Sequence, residues 1–183
     1  CWLVQLPAYM PADVIFGRED AYFSSFSESW LAHAKAFTHT AVERLGLTPQ
    51  SRVMEVASND GYLLKNFAAR GMQILGIEPT ANTAAAAIKV GVPTVVRFFG
   101  VQTASEIADS HGRADLIIAN NVLAHVPDIA DFVAGFKHLL APGGTATIEF
   151  PHLMRLIEQN QFDTIYHEHF SYLSLGALVP LFE

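Results

Sequence analysis

Cysteine is almost missing from this chain: there is one among 183 residues, and it is residue 1. A lone thiol closes no internal disulfide, so no redox framework staples the fold. Basic residues are also scarce, with 11 Lys and Arg against 18 Asp and Glu for a net charge of -7. They form no cluster, which argues against a nucleic-acid surface. No apolar run reaches the roughly 18 residues that a membrane span needs. The expectation is a monomeric protein free in the cytoplasm, off membranes and off nucleic acid. What the chain does have is apolar mass: 51% hydrophobic residues can bury one substantial core, and one domain is the natural count.

Local patterning gives the order of elements. Residues 1–24 show no clear period and read as a lead-in. Ser25-Phe26-Ser27-Glu28 fits a capping box, and Trp30, Ala34, Phe37, Ala41 and Leu45 repeat at helical spacing up to Gly46. From there strands and helices alternate. Strands are expected at Arg52 to Ala57, Gln73 to Glu78, Pro93 to Val96, Ala114 to Asn120 and Thr145 to Phe150. Helices are expected at Gly61 to Arg70, Asn82 to Val90, Gln102 to Ser110 and from Asp128 to Leu140. Such alternation implies an α/β, Rossmann-like fold with a doubly wound, mostly parallel sheet, occupying residues 25–183.

The loop after the first strand carries the strongest functional signal. In Glu55-Val56-Ala57-Ser58-Asn59-Asp60-Gly61-Tyr62, an apolar run ends in an acid, crosses small and turn-forming residues, and restarts as a helix. Small residues admit a ligand close to the backbone, and a helix opening there points free N–H groups at it. A dinucleotide site prefers G-x-G-x-x-G. Here Ala57, Asn59 and Gly61 keep a G-x-G-x-G spacing with only the last glycine, which suits a ligand with an amino-acid tail better than a pyrophosphate. Glu55 is expected to pair with an ammonium. Glu78, 23 residues on and followed by Pro79, is expected to hold both ribose hydroxyls; the alternative is that it caps the next helix. Asn120 and Asn121 close the fourth strand at the same edge. Phe99, beside Phe98, is a candidate for an adenine ring, with plain core as the alternative.

A second dense patch follows the fifth strand: Phe162-Asp163-Thr164-Ile165-Tyr166-His167-Glu168-His169-Phe170-Ser171-Tyr172. Histidine suits proton transfer near neutral pH, and a carboxylate beside it can orient the ring. His125, after the fourth strand, falls at the same edge of the sheet. A metal held by His167, His169 and His125 is a rival reading, although H-E-H is not the H-E-x-x-H helix motif. Histidines merely satisfied by backbone carbonyls are another.

Together the E-V-A-S-N-D-G-Y loop, Gly76-Ile77-Glu78-Pro79 and the L-L-A-P-G-G turn resemble class I S-adenosylmethionine-dependent methyltransferases. Y-H-E-H-F-S-Y-L-S-L, N-N-V-L-A-H-V and Tyr22-Phe23-Ser24-Ser25 resemble, more narrowly, the C-methyltransferases that act on nucleotide-linked keto-deoxysugars. The resemblance implies S-adenosylmethionine as cofactor and a nucleotide-linked sugar as substrate. It implies His169 as the base that takes a C3 proton, Glu168 steering it, Tyr166 and His125 donating to the enolate oxygen, and Tyr22 positioning the sugar. Asp20 stands where such enzymes often have a further tyrosine. Cys1 is similar to the last ligand of a preceding zinc module, so zinc is expected only with that module present. The resemblance also implies two further strands after the helix near Leu175, hence a chain cut from the middle of a longer one. The rival classes are a methyltransferase acting on a different class of small molecule, a nicotinamide-dependent oxidoreductase, disfavoured by the missing glycines, and a cofactor-binding module without catalysis.

Overall fold

The computed structural model describes residues 3–7, 10–16 and 22–183. In chain order the elements are β1 (Val4–Gln5), α1 (Ala12–Ile15), α2 (Glu28–Leu45), β2 (Arg52–Val56), α3 (Leu64–Ala68), β3 (Gln73–Ile77), α4 (Ala81–Lys89), β4 (Thr94–Val95), α5 (Val101–His111), β5 (Ala114–Asn120), α6 (Ile129–Leu139), β6 (Leu140–Glu149), α7 (Leu153–Glu158), β7 (Ser171–Tyr172) and α8 (Leu175–Phe182). The main sheet is five-stranded in the order β4-β3-β2-β5-β6, with every pairing parallel. The chain runs outward from β2 to one edge, then returns to β5 and proceeds to the other. The reversal point lies between β2 and β5, where open α/β sheets open a crevice beyond their carboxyl ends.

Both faces of the sheet are covered, which explains why its strands read as near-continuous apolar runs. On one face Met54, Val56, Ile77 and Ile117 pack against α5, α6 and α8 through Ile107, Phe132, Phe136 and Leu178. On the other, Val53, Leu116 and Ile118 meet Ala34 and Ala41 of α2 and Phe67 of α3. Among the described residues, no helix is long and apolar enough to cross a membrane.

Several boundaries differ from the sequence expectation. The cap of α2 is Ser27, whose hydroxyl accepts the Trp30 N–H at 3.3 Å; the Ser25 to Glu28 box does not form, because Ser25 belongs to a 3-10 turn at Ser24–Phe26. The third helix begins at Leu64 rather than Gly61, since residues 57 to 61 spend their backbone on turns. The fifth strand begins at Leu140, drawing the A-P-G-G segment into the strand through an irregularity between Ala114 and Leu116. A Cβ on Gly144 would lie 2.8 Å from the Ala114 carbonyl oxygen, so only glycine permits that approach. The expected cap Asp128 holds, accepting the Asp131 N–H at 3.0 Å.

One small sheet had no signal in the sequence pattern. β1 pairs antiparallel with β7, Val4 opposite Tyr172 and Gln5 opposite Ser171. The lead-in is thereby fastened to the histidine-bearing segment, and Leu3 packs against the main core.

Candidate active site

The loop after β2 takes an unusual backbone path. Ala57, Asn59 and Gly61 all have left-handed φ, at 56°, 49° and 78°. These are the three positions of the expected G-x-G-x-G spacing, so two non-glycine residues adopt the glycine conformation. For Ala57 that costs roughly 1–2 kcal/mol, the kind of strain held at functional loops. Glu78 locks the path. Its buried carboxylate accepts the Asn59 N–H and the Thr80 N–H, each at 2.9 Å. It therefore braces the loop and the start of α4 together, and carboxylate oxygens retain lone pairs for a further donor. Pro79 sits half-buried between those anchors.

Glu55 is the electrostatic anomaly of this edge. It is 1% exposed, and neither carboxylate oxygen has a hydrogen-bond partner among the described residues. Burial first, then the nearby Glu78 and Asp60 carboxylates, push its pKa well above the usual carboxylate range, with the Tyr62 side chain as partial counterweight. Tyr62 is itself raised by burial and then by Glu55, while Trp30 and Asn120 work the other way. A buried acid without partners is costly unless a cation completes it.

The second constellation gathers at the same edge. His125 follows β5 in a short 3-10 turn, Leu123–His125, and its ring lies 4.7 Å from that of His169. His169 is buried; its Nδ1 is 2.7 Å from the Thr164 carbonyl oxygen and its Nε2 is 3.0 Å from the Tyr166 hydroxyl. A carbonyl only accepts, so Nδ1 carries the proton and Nε2 presents a lone pair toward the tyrosine. Burial, then His169, lowers the His125 pKa to about 4, against a backbone contact with Glu168 that raises it. His125 is therefore a neutral imidazole near pH 7. Tyr166 is raised by burial, then by Glu168 and Tyr172.

The expected residues thus fall into two neighbouring groups, with exceptions. Glu168 does not hold the His169 ring: its side chain is exposed, and the 3-10 turn Phe162–Thr164 folds the Thr164 carbonyl onto Nδ1 instead. Phe99, half-buried, packs against the core, its ring 5.2 Å from Phe132 and 5.4 Å from Phe136, because Gly135 leaves α6 open to it; Phe98 is the exposed member of the pair. Tyr62, 4% exposed, supports Glu55 from within the core. Among the described residues no three His, Cys, Asp or Glu side chains are grouped to hold a metal. Cys1 and Asp20 lie outside the described residues.

Asn121, expected at this edge, joins two residues that the sequence pattern does not single out: Glu149 and, through it, His33. Asn121 donates from its backbone to the Glu149 carbonyl at 2.7 Å and from its side chain to Glu149 Oε1 at 3.1 Å. The other Glu149 oxygen meets His33 Nε2 at 2.9 Å, and Trp30 stacks on His33. Glu149 ends β6 beside the end of β5, a position that only sheet order reveals.

A profile of the methyltransferase domain family matches residues 30–183. The chain belongs to that family. Its fold is that of the class I S-adenosylmethionine-dependent methyltransferases. C-methyltransferase NovU of Streptomyces niveus is 42% identical over 183 residues, which is 100% of this chain and 43% of that protein. A ubiquinone biosynthesis O-methyltransferase of Rhodopseudomonas palustris strain BisA53 is 25% identical over 75% of this chain and 63% of its own length. Among solved structures, the plantazolicin methyltransferase BpumL in complex with SAH superposes with a TM-score of 0.62 at 12% identity, covering 81% of this chain and 60% of that one. That identity speaks for the fold alone. The chain spans less than two thirds of each of these proteins. The residues at this edge fit S-adenosylmethionine, the cofactor that the fold implies: the buried Glu55 carboxyl would ionise against an ammonium, the left-handed turns at Ala57, Asn59 and Gly61 would bring backbone against the ligand, and Glu78, just beyond β3, would meet the ribose.

Proposed function

We propose that this domain carries out C-methylation of a nucleotide-linked keto-deoxysugar, with a base-generated enolate at C3 as the carbon nucleophile. The observation that carries the reading is the fixed imidazole of His169, its Nδ1–H spent on Thr164 and its Nε2 lone pair turned to the Tyr166 hydroxyl, which the substrate proton replaces when Nε2 acts as base. The 42% identical relative named as a C-methyltransferase supports the same reaction class. S-adenosylmethionine supplies an electrophilic methyl group on sulfur. A ketone at C4 acidifies the C3 proton, and His169 Nε2 takes it, leaving the electron pair on the enolate. The Tyr166 hydroxyl, held 3.0 Å from His169 Nε2, turns its one proton from that nitrogen to the enolate oxygen when the sugar is bound, and neutral His125 donates a second hydrogen bond there. The raised Tyr166 pKa keeps that donor protonated. Tyr22, on the segment over the cofactor loop, positions the sugar. A positioned base is worth about 10²–10⁴-fold, whereas orientation supplies roughly 7–11 kcal/mol, so holding carbon against methyl is the larger task.

His169→Gln tests this in the intact protein with a thymidine-diphosphate 4-keto-6-deoxysugar. Turnover is expected to fall at least 100-fold, the lower end of the range above, with SAH affinity within threefold. Equal loss of both would reduce His169 to a structural role. NMR of the product separates C- from O-methylation, the chemistry named for the ubiquinone-pathway relatives.

A further inference from the structure

The central position of the loop, Asn59, has a side chain that the cofactor reading leaves unused. Its backbone already serves the loop: φ is 49°, and its N–H donates to Glu78. Glycine would satisfy both requirements at lower conformational cost. The amide side chain turns away to the segment that precedes α2. Asn59 Oδ1 accepts the Ser24 N–H at 2.9 Å, and Asn59 Nδ2 donates to the Tyr22 carbonyl at 3.1 Å. Next to it, Asp60 Oδ2 accepts the Ser25 N–H at 3.1 Å. Asparagine suits this place because it tolerates left-handed φ and offers both a donor and an acceptor. Ser24 is buried under the clip, whereas Tyr22 beside it is 62% exposed.

We infer that Asn59 is a positioning residue for the sugar side of the pocket: its amide clips the Tyr22 to Ser25 backbone to the cofactor loop and thereby sets where Tyr22 stands. This rests on the proposed reading of Tyr22 as a sugar contact. The substitution of asparagine for glycine at this loop position joins the two halves of the site. The loop that receives the cofactor also fixes the segment that receives the co-substrate. Removing the amide while keeping the backbone conformation loosens one half without touching the other.

Asn59→Gly separates these roles in the intact protein, because glycine keeps left-handed φ and the N–H to Glu78. The SAH dissociation constant is expected to stay within threefold, while KM for a thymidine-diphosphate 4-keto-6-deoxysugar rises at least fivefold and kcat changes less than KM. Amide exchange at Ser24 is expected to accelerate at least tenfold. Asn59→Asp keeps the acceptor for Ser24 but sets a carboxylate against the Tyr22 carbonyl, so Ser24 stays protected and KM still rises. In a double-mutant cycle with Tyr22→Ala, the second substitution is expected to add little to KM. Unchanged Ser24 exchange, a parallel loss of SAH affinity, or fully additive KM effects would each overturn the inference. If the His169→Gln protein remained active, the proposed chemistry would fail. The exchange and SAH measurements would still decide whether the clip exists.

Discussion

Replacing Glu55 with glutamine isolates the electrostatics of the cofactor pocket. The carboxyl is 1% exposed, without a hydrogen-bond partner among the described residues, and faces Glu78 after β3, Asp60 in the loop and Tyr62 before α3. Burial and those two like charges raise its pKa, so over the affected range the cofactor-free protein holds Glu55 protonated. Glutamine is then a neutral group of the same shape, and fold stability is expected to change by less than about 1 kcal/mol. Cofactor binding behaves differently. A contact to a charged partner is worth about 1.5–3 kcal/mol, so Glu55→Gln should weaken SAH by about 10- to 150-fold. The ammonium also draws the proton off, so affinity in the native protein should climb with pH until the raised pKa is passed, and should be flat in the variant. Stability runs the opposite way: above the unfolded value of about 4.3 the folded state still holds a proton, so stability falls as pH rises through that window. Titration calorimetry of SAH in two buffers of different ionisation enthalpy counts the released protons. Zero release at pH values below the raised pKa, or unaltered affinity in Glu55→Gln, would refute the reasoning.

Other expectations rest on separate contacts. Glu78→Ala strands two buried N–H groups, Asn59 and Thr80, at about 1–3 kcal/mol each, so thermal unfolding should shift down along with SAH affinity; unchanged melting would contradict the brace. Gly61→Ala places a Cβ 2.8 Å from Val92 Cγ2 at φ +78°, and overpacking of about 1–3 kcal/mol should appear in urea unfolding. His125, lowered to about 4 by burial and His169, should show a neutral imidazole by NMR at pH 6, where an exposed histidine is mostly protonated. Because the folded value lies below the unfolded one, this residue costs stability as pH falls from about 6.5 toward 4.

Periodicity and punctuation were enough to reveal the alternation of strands and helices and the expectation of a parallel sheet, because each of those signals lies within a dozen residues of itself. The loop at Ala57 to Gly61 and the H-E-H segment were legible for the same reason: their chemistry is written in consecutive positions. Tertiary structure alone decided the partners. Thr164 rather than Glu168 holds His169, since a turn sets which neighbour faces the ring. Phe99 packs against the core because Gly135, 36 positions away, makes room. Glu149 joins His33 and Asn121 only because β6 comes to lie beside β5. The β1–β7 pair and the Asn59 clip to Tyr22 bridge residues far apart in the chain, and such contacts depend on loop closure and packing rather than on local preference. Residue order thus determined which chemical groups this domain has, while three-dimensional packing decided which of them meet.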